Sequence, residues 1–314
     1  MTSAVQPESA RPQRLHHYDT PAYDSARWDH FAQRPGDIVV ATPNKCGTTW
    51  TQMMCALLVH QTPELPLPLT RLSRWLDRHT DPIEKLAAEF AAQPYRRIIK
   101  THTPLDGLPF YEDCFYVVCG RDPRDAFLSM LDHMANVSEQ SIEEVRRRMG
   151  DVPFDMQALL KDPNAVFELW LTIGEQPWMR DGAILGSVLD MVHGYWRFRR
   201  LPNFCFLHYA ALRADLDREM RRLSSFLGIP VDEARWPELV QAARFDAMKE
   251  RADQNAPGAH LGEWRSASDF FRKGRMQAWE GVLSAKSLSL YERVMKERYE
   301  PEFRRWLETG FVPE

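Results

Sequence analysis

Four groups of residues in this sequence have types and spacings that could do chemistry. In Thr42-Pro-Asn-Lys-Cys-Gly-Thr-Thr-Trp50 a β-branched run ends, Gly47 permits a tight backbone, and a helical pattern begins. Such a loop aims its N–H groups and a helix N-terminus at one point, which favours a phosphate-like anion. Lys45 adds a full charge there, and Thr48 and Thr49 add hydroxyl donors. Because the Lys precedes the Gly, this is not the G-x-x-x-x-G-K-[ST] phosphate loop. Lys100 and His102 alternate in an extended stretch and so point to one face, a cation beside a candidate base. Arg121 follows the apolar run 114–119, with Ser129 roughly two helical turns further on. Arg272-Lys273-Gly274 lies in a late loop, where the Gly allows close backbone approach to an anion. Each group also has a plainer explanation: a solvated turn, a structural histidine, a structural ion pair, a surface serine, a solvated loop. Spacing alone leaves both open.

If these groups act together, strands must bring them to one edge. Residues 37–42, 96–100, 114–119 and 204–208 are short β-branched or aromatic runs, each followed by a turn or a helical pattern. Strands alternating with helices predict a parallel sheet covered on both faces, a three-layer α/β/α fold with a phosphate-binding strand-loop-helix. Ligands in such sheets sit at the carboxyl ends of the strands, which is where Lys45, His102 and Arg121 fall. Helix starts are expected at Asp81-Pro82, Asp122-Pro123, Asp162-Pro163 and near Asp215, and a capping box at Ser141-x-x-Glu144. The helix after Asp215 places Leu216, Met220, Leu223 and Leu227 on one stripe and stops at Gly228. Residues 1–36, polar and with four prolines, are expected to form a loosely held arm before a single domain over 37–314. Residues 136–200 read as a helical segment beside the sheet, and 251–274 as a long, functional loop.

Composition narrows the classes. With 314 residues, 40 basic against 44 acidic side chains and a net charge of −4, the chain is not a general nucleic-acid binder, although a local anion site is allowed. No apolar run approaches the ~18 residues of a membrane span, and the N-terminus lacks a secretory apolar segment. Five cysteines without a C-x-x-C pair suit reduced thiols, so a cytoplasmic location and no metal site are expected. Cys46, at a helix N-terminus beside Lys45, is expected to have a lowered thiol pKa and to be the most reactive of the five.

Taken together, the motifs resemble those of the cytosolic sulfotransferase family. The first loop is similar to that family's P-K-S-G-T-T-W, Lys100-Thr-His102 to its K-T-H, and Arg121-Asp-Pro-Arg-Asp-Ala-Phe-Leu-Ser129 to its second signature. Arg272-Lys273-Gly274, followed by Trp279, resembles the R-K-G…W ending. The resemblance implies transfer of sulfonate from 3′-phosphoadenosine 5′-phosphosulfate (PAPS) to a hydroxyl or amine of a small-molecule or lipid acceptor, leaving 3′,5′-ADP. It implies His102 as general base, Lys45 and Lys100 as the cations of the transfer, and Lys45, Cys46, Gly47, Thr48 and Thr49 around the 5′-phosphosulfate. Arg121, Ser129, Arg272, Lys273 and Gly274 would hold the 3′-phosphate region. Trp50, Phe245, Tyr209 and Met248 would hold adenine. Cys46 replaces the family's Ser, Ala243 replaces a hydroxyl residue two before Phe245, and the family's dimer motif is not visible in 282–292. Rival readings are a non-catalytic 3′,5′-ADP-binding module and a small-molecule kinase, the latter disfavoured by the missing Walker A motif.

Overall fold

The computed structural model describes residues 11–20, 22–149, 161–172, 188–271 and 274–311. Four strands form one sheet: β1 (Ile38–Ala41), β2 (Ile98–Thr101), β3 (Phe115–Gly120) and β4 (Phe204–His208). Their order is β2-β1-β3-β4 and every pair is parallel, with Ile38 opposite Ile98 and Phe115, and Tyr116 opposite Phe204. Each strand is almost wholly buried, as expected of a parallel sheet covered on both faces. Alternation sorts the side chains. Ile38, Val40, Ile98, Val117 and Cys205 pack with helix α1 (Thr48–His60) in one core. Val39, Ile99, Tyr116, Val118 and Phe204 face a second core with Trp28, Phe90 and Tyr195. The fold is the expected three-layer α/β/α arrangement.

The helix starts at Asp122-Pro123 and Asp215 form as read. Asp122 caps helix α4 (Pro123–Ala135; α2 is Leu69–Leu72 and α3 Ile83–Ala92), accepting from Arg124 N. Asp215 caps Leu216–Leu227, which ends at left-handed Gly228. Two caps differ from the sequence reading. Asp81 does not cap α3, because its carboxylate is engaged by Arg74 at 2.6 Å and the helix begins after Pro82. Helix α5 (Glu139–Met149) begins before Ser141, so the box at Ser141-x-x-Glu144 does not form, and Ser141 N donates to Ser138 Oγ instead. No helix of the described residues is long and apolar enough to cross a membrane.

The expected loose arm is, where described, part of the body. Trp28, 1% exposed on the turn Ser25–His30, donates its indole N–H to Asp77 at 3.0 Å. Burial of one indole outweighs the polar composition around it. The expected loop 251–274 is likewise built from short helical pieces, Ala252–Asn255, Ala259–Leu261 and Ala267–Phe270. Within 136–200, the described parts are helical: α5, Pro163–Thr172 and Val188–Trp196.

Candidate active site

The chain leaves β1, pairs β2 on one side, and returns to place β3 on the other, so the strand order reverses at β1/β3. The crevice outside the carboxyl ends of those two strands is the ligand position in open α/β sheets. Residues 42–47 and Arg121 lie there. Backbone at Lys45 (φ 64°) and Gly47 (φ 95°) is left-handed, and Gly47 is the N-cap of α1 without a side-chain cap. The first N–H groups of α1 are therefore left for a ligand. Thr42 Oγ1 donates to Thr48 Oγ1 at 2.5 Å, which ties the ends of the loop together. Thr49 is buried one residue further on.

β2 supplies the base. His102 is 6% exposed, and its Nδ1 lies 2.5 Å from the Thr42 carbonyl oxygen. A carbonyl only accepts, so Nδ1 carries the proton and Nε2 keeps a lone pair. Burial, with Lys100 close by, holds the imidazole well below its usual pKa and therefore neutral. Lys100 rests over the Trp75 ring at 4.4 Å, and the same ring meets His102 edge-on at 4.7 Å. Trp75 reaches this place because its backbone bridges Lys100 beside the β2 edge. Desolvation lowers both Lys45 (reinforced by Arg121) and Lys100 (reinforced by Arg78) to about 7. Among the described residues, no carboxylate forms an ion pair with Lys45, Lys100 or Arg121. Glu263 and Asp77 act on Lys100 only from a distance, so the three cations keep their donors free of a direct carboxylate partner.

Arg121 spans two segments. It donates to Lys45 O at 3.0 Å and to Arg275 O at 3.1 Å, and its guanidinium stacks over Tyr209 at 4.3 Å. Its buried Nε has no partner, an orphaned charged donor of the kind an anion would satisfy. Ser129 is half-buried in the middle of α4. At i, i+4 spacing, Asp125, Ser129 and His133 share one face of that helix. Asp125 accepts from Gln277 N (2.8 Å) and Ala278 N (2.7 Å), three and four residues after Gly274. At the other end of α4, Asn136 exchanges hydrogen bonds with Ser266, and its carbonyl accepts from Arg265 N. The described residues 263–271 and 274–278 are thus clipped along α4 as a strap. Arg272 and Lys273 lie outside the described residues.

Three aromatic rings face one another at the side of α1. Trp50 meets Tyr209 at 5.5 Å and Phe245 at 6.4 Å, and its indole N–H is fixed by Ala243 O at 2.8 Å. Gly274 is left-handed (φ 55°), and a Cβ there would come 3.3 Å from Tyr209 Oη and 3.6 Å from the Phe245 ring. Any side chain would therefore press into the space between these rings. Met248, 1% exposed, is packed in the same core as Trp50 and Tyr209.

The expectation for Cys46 fails. Its side chain is fully buried, and desolvation pushes the thiol up to about 12 against the opposing pull of Arg121 and Lys45. The loop's backbone, not its thiol, faces the crevice side. Several site residues carried no sequence signal: Trp75, His133, Asp125 and Trp264. All come from elements distant in sequence from the residue each touches. Only the regular i, i+4 placement of Asp125 and His133 about Ser129 could have flagged any of them.

Residues 35–302 match the family model described as a sulfotransferase domain. A glycolipid sulfotransferase of Mycobacterium bovis is 37% identical over 302 residues, covering 91% of this chain and 92% of its own. Human sulfotransferase 1C2 is 25% identical, covering 88% and 85%. Among solved structures, mouse sulfotransferase SULT7A1 complexed with PAP has a TM-score of 0.65 at 21% identity, covering 90% of this chain and 92% of that one. A retinol dehydratase in complex with retinol and PAP has a TM-score of 0.66 at 21% identity, covering 87% and 84%.

Proposed function

The chain belongs to the sulfotransferase family, its reaction is sulfonate transfer from PAPS to a lipid or small-molecule acceptor, and we propose that the acceptor group is a hydroxyl of a glycolipid. His102 Nε2 takes the hydroxyl proton as the new O–S bond forms. The bond from sulfur to the 5′-phosphate oxygen breaks, and Lys45 stabilises the charge left on that oxygen. Lys100 adds to the field from the β2 side. Arg121 and Ser129 hold the 3′-phosphate, with Arg272, Lys273 and Gly274 as its further partners, and Trp50, Tyr209 and Phe245 hold the base. PAPS brings the activated sulfonate; the protein supplies position, a proton acceptor and positive charge, as in phosphoryl transfer.

The observation that carries this reading is the group of Lys45, Lys100 and Arg121, gathered around a neutral base with, among the described residues, no carboxylate in direct ion pair with any of the three. The glycolipid acceptor is supported by the 37% identical relatives and by half-buried rings around the site, Trp75 against His102 and Trp264 and Phe270 against His133. Calorimetry in EDTA tests the cofactor half. With two charged contacts of ~1.5–3 kcal/mol each, 3′,5′-ADP should bind at least about a hundredfold more tightly than 5′-ADP. Arg121→Ala should erase most of that preference. Equal affinities would reject the 3′-phosphate assignment. Labelled sulfonate transfer to a glycolipid, against a simple phenol, tests the acceptor half, and a preference for the phenol would reject it.

A further inference from the structure

Lys45 does not point into open solvent. Its Nζ lies 3.3 Å from His133 Nδ1 and 4.6 Å from the centre of the Phe270 ring. The His133 ring packs against Trp264 at 4.6 Å and Phe270 at 5.8 Å, and those two rings are 5.3 Å apart. Trp264 is itself fixed, by its indole N–H to Pro257 O at 2.6 Å and by a backbone bridge to Val137 just past α4. Among the described residues, Nδ1 of His133 is the hydrogen-bond acceptor that Lys45 Nζ meets. An ammonium can only donate, so the imidazole must offer a lone pair at Nδ1 and carry its proton on Nε2.

We propose that His133 is a positioning residue for Lys45: it parks the ammonium in the aromatic box under the strap, and the phosphosulfate must draw the lysine away from it. This rests on reading the first loop as the phosphosulfate site. The titratable groups facing this pair are Arg121 at the end of β3, Lys100 and the neutral His102 at the end of β2, and the Cys46 thiol on the loop itself. The Arg78–Glu263 pair adjoins Lys100. Burial and Lys45 hold His133 well below its usual pKa, so it stays a neutral acceptor through the working range. Lys45 titrates near 7 before ligand binds.

The sign follows. Below that pH, unloaded Lys45 is charged and bonded to His133, and ligand binding must break the bond. Well above it, unloaded Lys45 is a neutral amine in either protein, and the hydrogen bond to His133 that remains lacks its charge and competes far less. His133→Phe keeps a ring against Trp264 and Phe270 but removes the acceptor. It should therefore bind 3′,5′-ADP about tenfold (~1.4 kcal/mol) more tightly than wild type at pH 5.5. The two affinities should converge by pH 9. His133→Asn, whose amide oxygen stands near the Nδ1 position, should restore the wild-type profile and also serves if the Phe variant is poorly folded. In a Lys45→Met background the ratio should be flat. A His133→Phe to wild-type ratio that is constant with pH, or weaker binding at pH 5.5, overturns the proposal. Failure of the wild type to bind 3′,5′-ADP at any pH would instead reject the reading of the loop.

Discussion

The loop 42–47 and the strap (263–271 and 274–278) bound the same site but are held differently. The loop grows out of β1 and runs straight into α1; its ends are joined by Thr42 and Thr48, and Cys46 beneath it is completely buried. The strap's apolar anchorage is one buried ring, Phe271, with Trp264, Ala267 and Phe270 packed only partly buried against the core. It is clipped to α4 by Asp125 and Asn136 through side-chain to backbone hydrogen bonds, with Trp264 and Phe270 half-buried. Backbone pairing in a sheet places the base and the first loop within the global folding unit. Clips of the strap's kind can open locally without unfolding the sheet. Under the proposed function, the chemistry would fall to the sheet-anchored loop and ligand retention to the more lightly held strap.

The largest expected effect lies on the rigid side. His102 donates to Thr42 O, and under the proposed function it would also offer Nε2 to the acceptor. Alanine removes both and leaves a buried carbonyl unpaired, a loss of ~1–3 kcal/mol in stability. His102→Asn separates them, because its amide N–H can still reach Thr42 O while the base is gone. Turnover of His102→Asn should fall about 10²–10⁴-fold with 3′,5′-ADP affinity within a few-fold of wild type. Near-normal turnover in that variant would move the base elsewhere and dissolve the contrast.

On the strap side the effect is on binding. Asp125→Ala frees the N–H groups of Gln277 and Ala278, which can rehydrate because both are partly exposed. The dissociation constant of 3′,5′-ADP should rise about tenfold, ~1.4 kcal/mol, with a fall in Tm of only a few degrees. A large loss of stability with unchanged affinity would show that the clip belongs to the core after all. The smallest effect concerns Cys46. Buried and with its thiol pushed up to about 12, it should resist iodoacetamide at pH 8 in the native protein, with or without 3′,5′-ADP. Fast alkylation there, read by peptide mass mapping, would mean that the loop opens as freely as the strap.

Legibility followed the same division. Local sequence determined what depends on neighbours in the chain: four β-branched runs, the Gly-containing turn into α1, the Asp122-Pro123 start of α4 and the Asp215…Gly228 helix. Those few facts already brought Lys45, Lys100, His102 and Arg121 to one edge of a parallel sheet, because ligand position in such sheets follows from strand direction. Tertiary structure alone decided the rest. Asp81 lost its cap to Arg74, and Trp28 drew a polar arm into the core through Asp77. The thiol of Cys46 was raised, not lowered, because complete burial outweighs the pull of two neighbouring cations. Trp75 beneath Lys100, His133 beside Lys45 and Asp125 under the strap each meet a partner far along the chain. Periodicity reports a residue's own element and face; which distant side chain arrives opposite is set only when the layers pack.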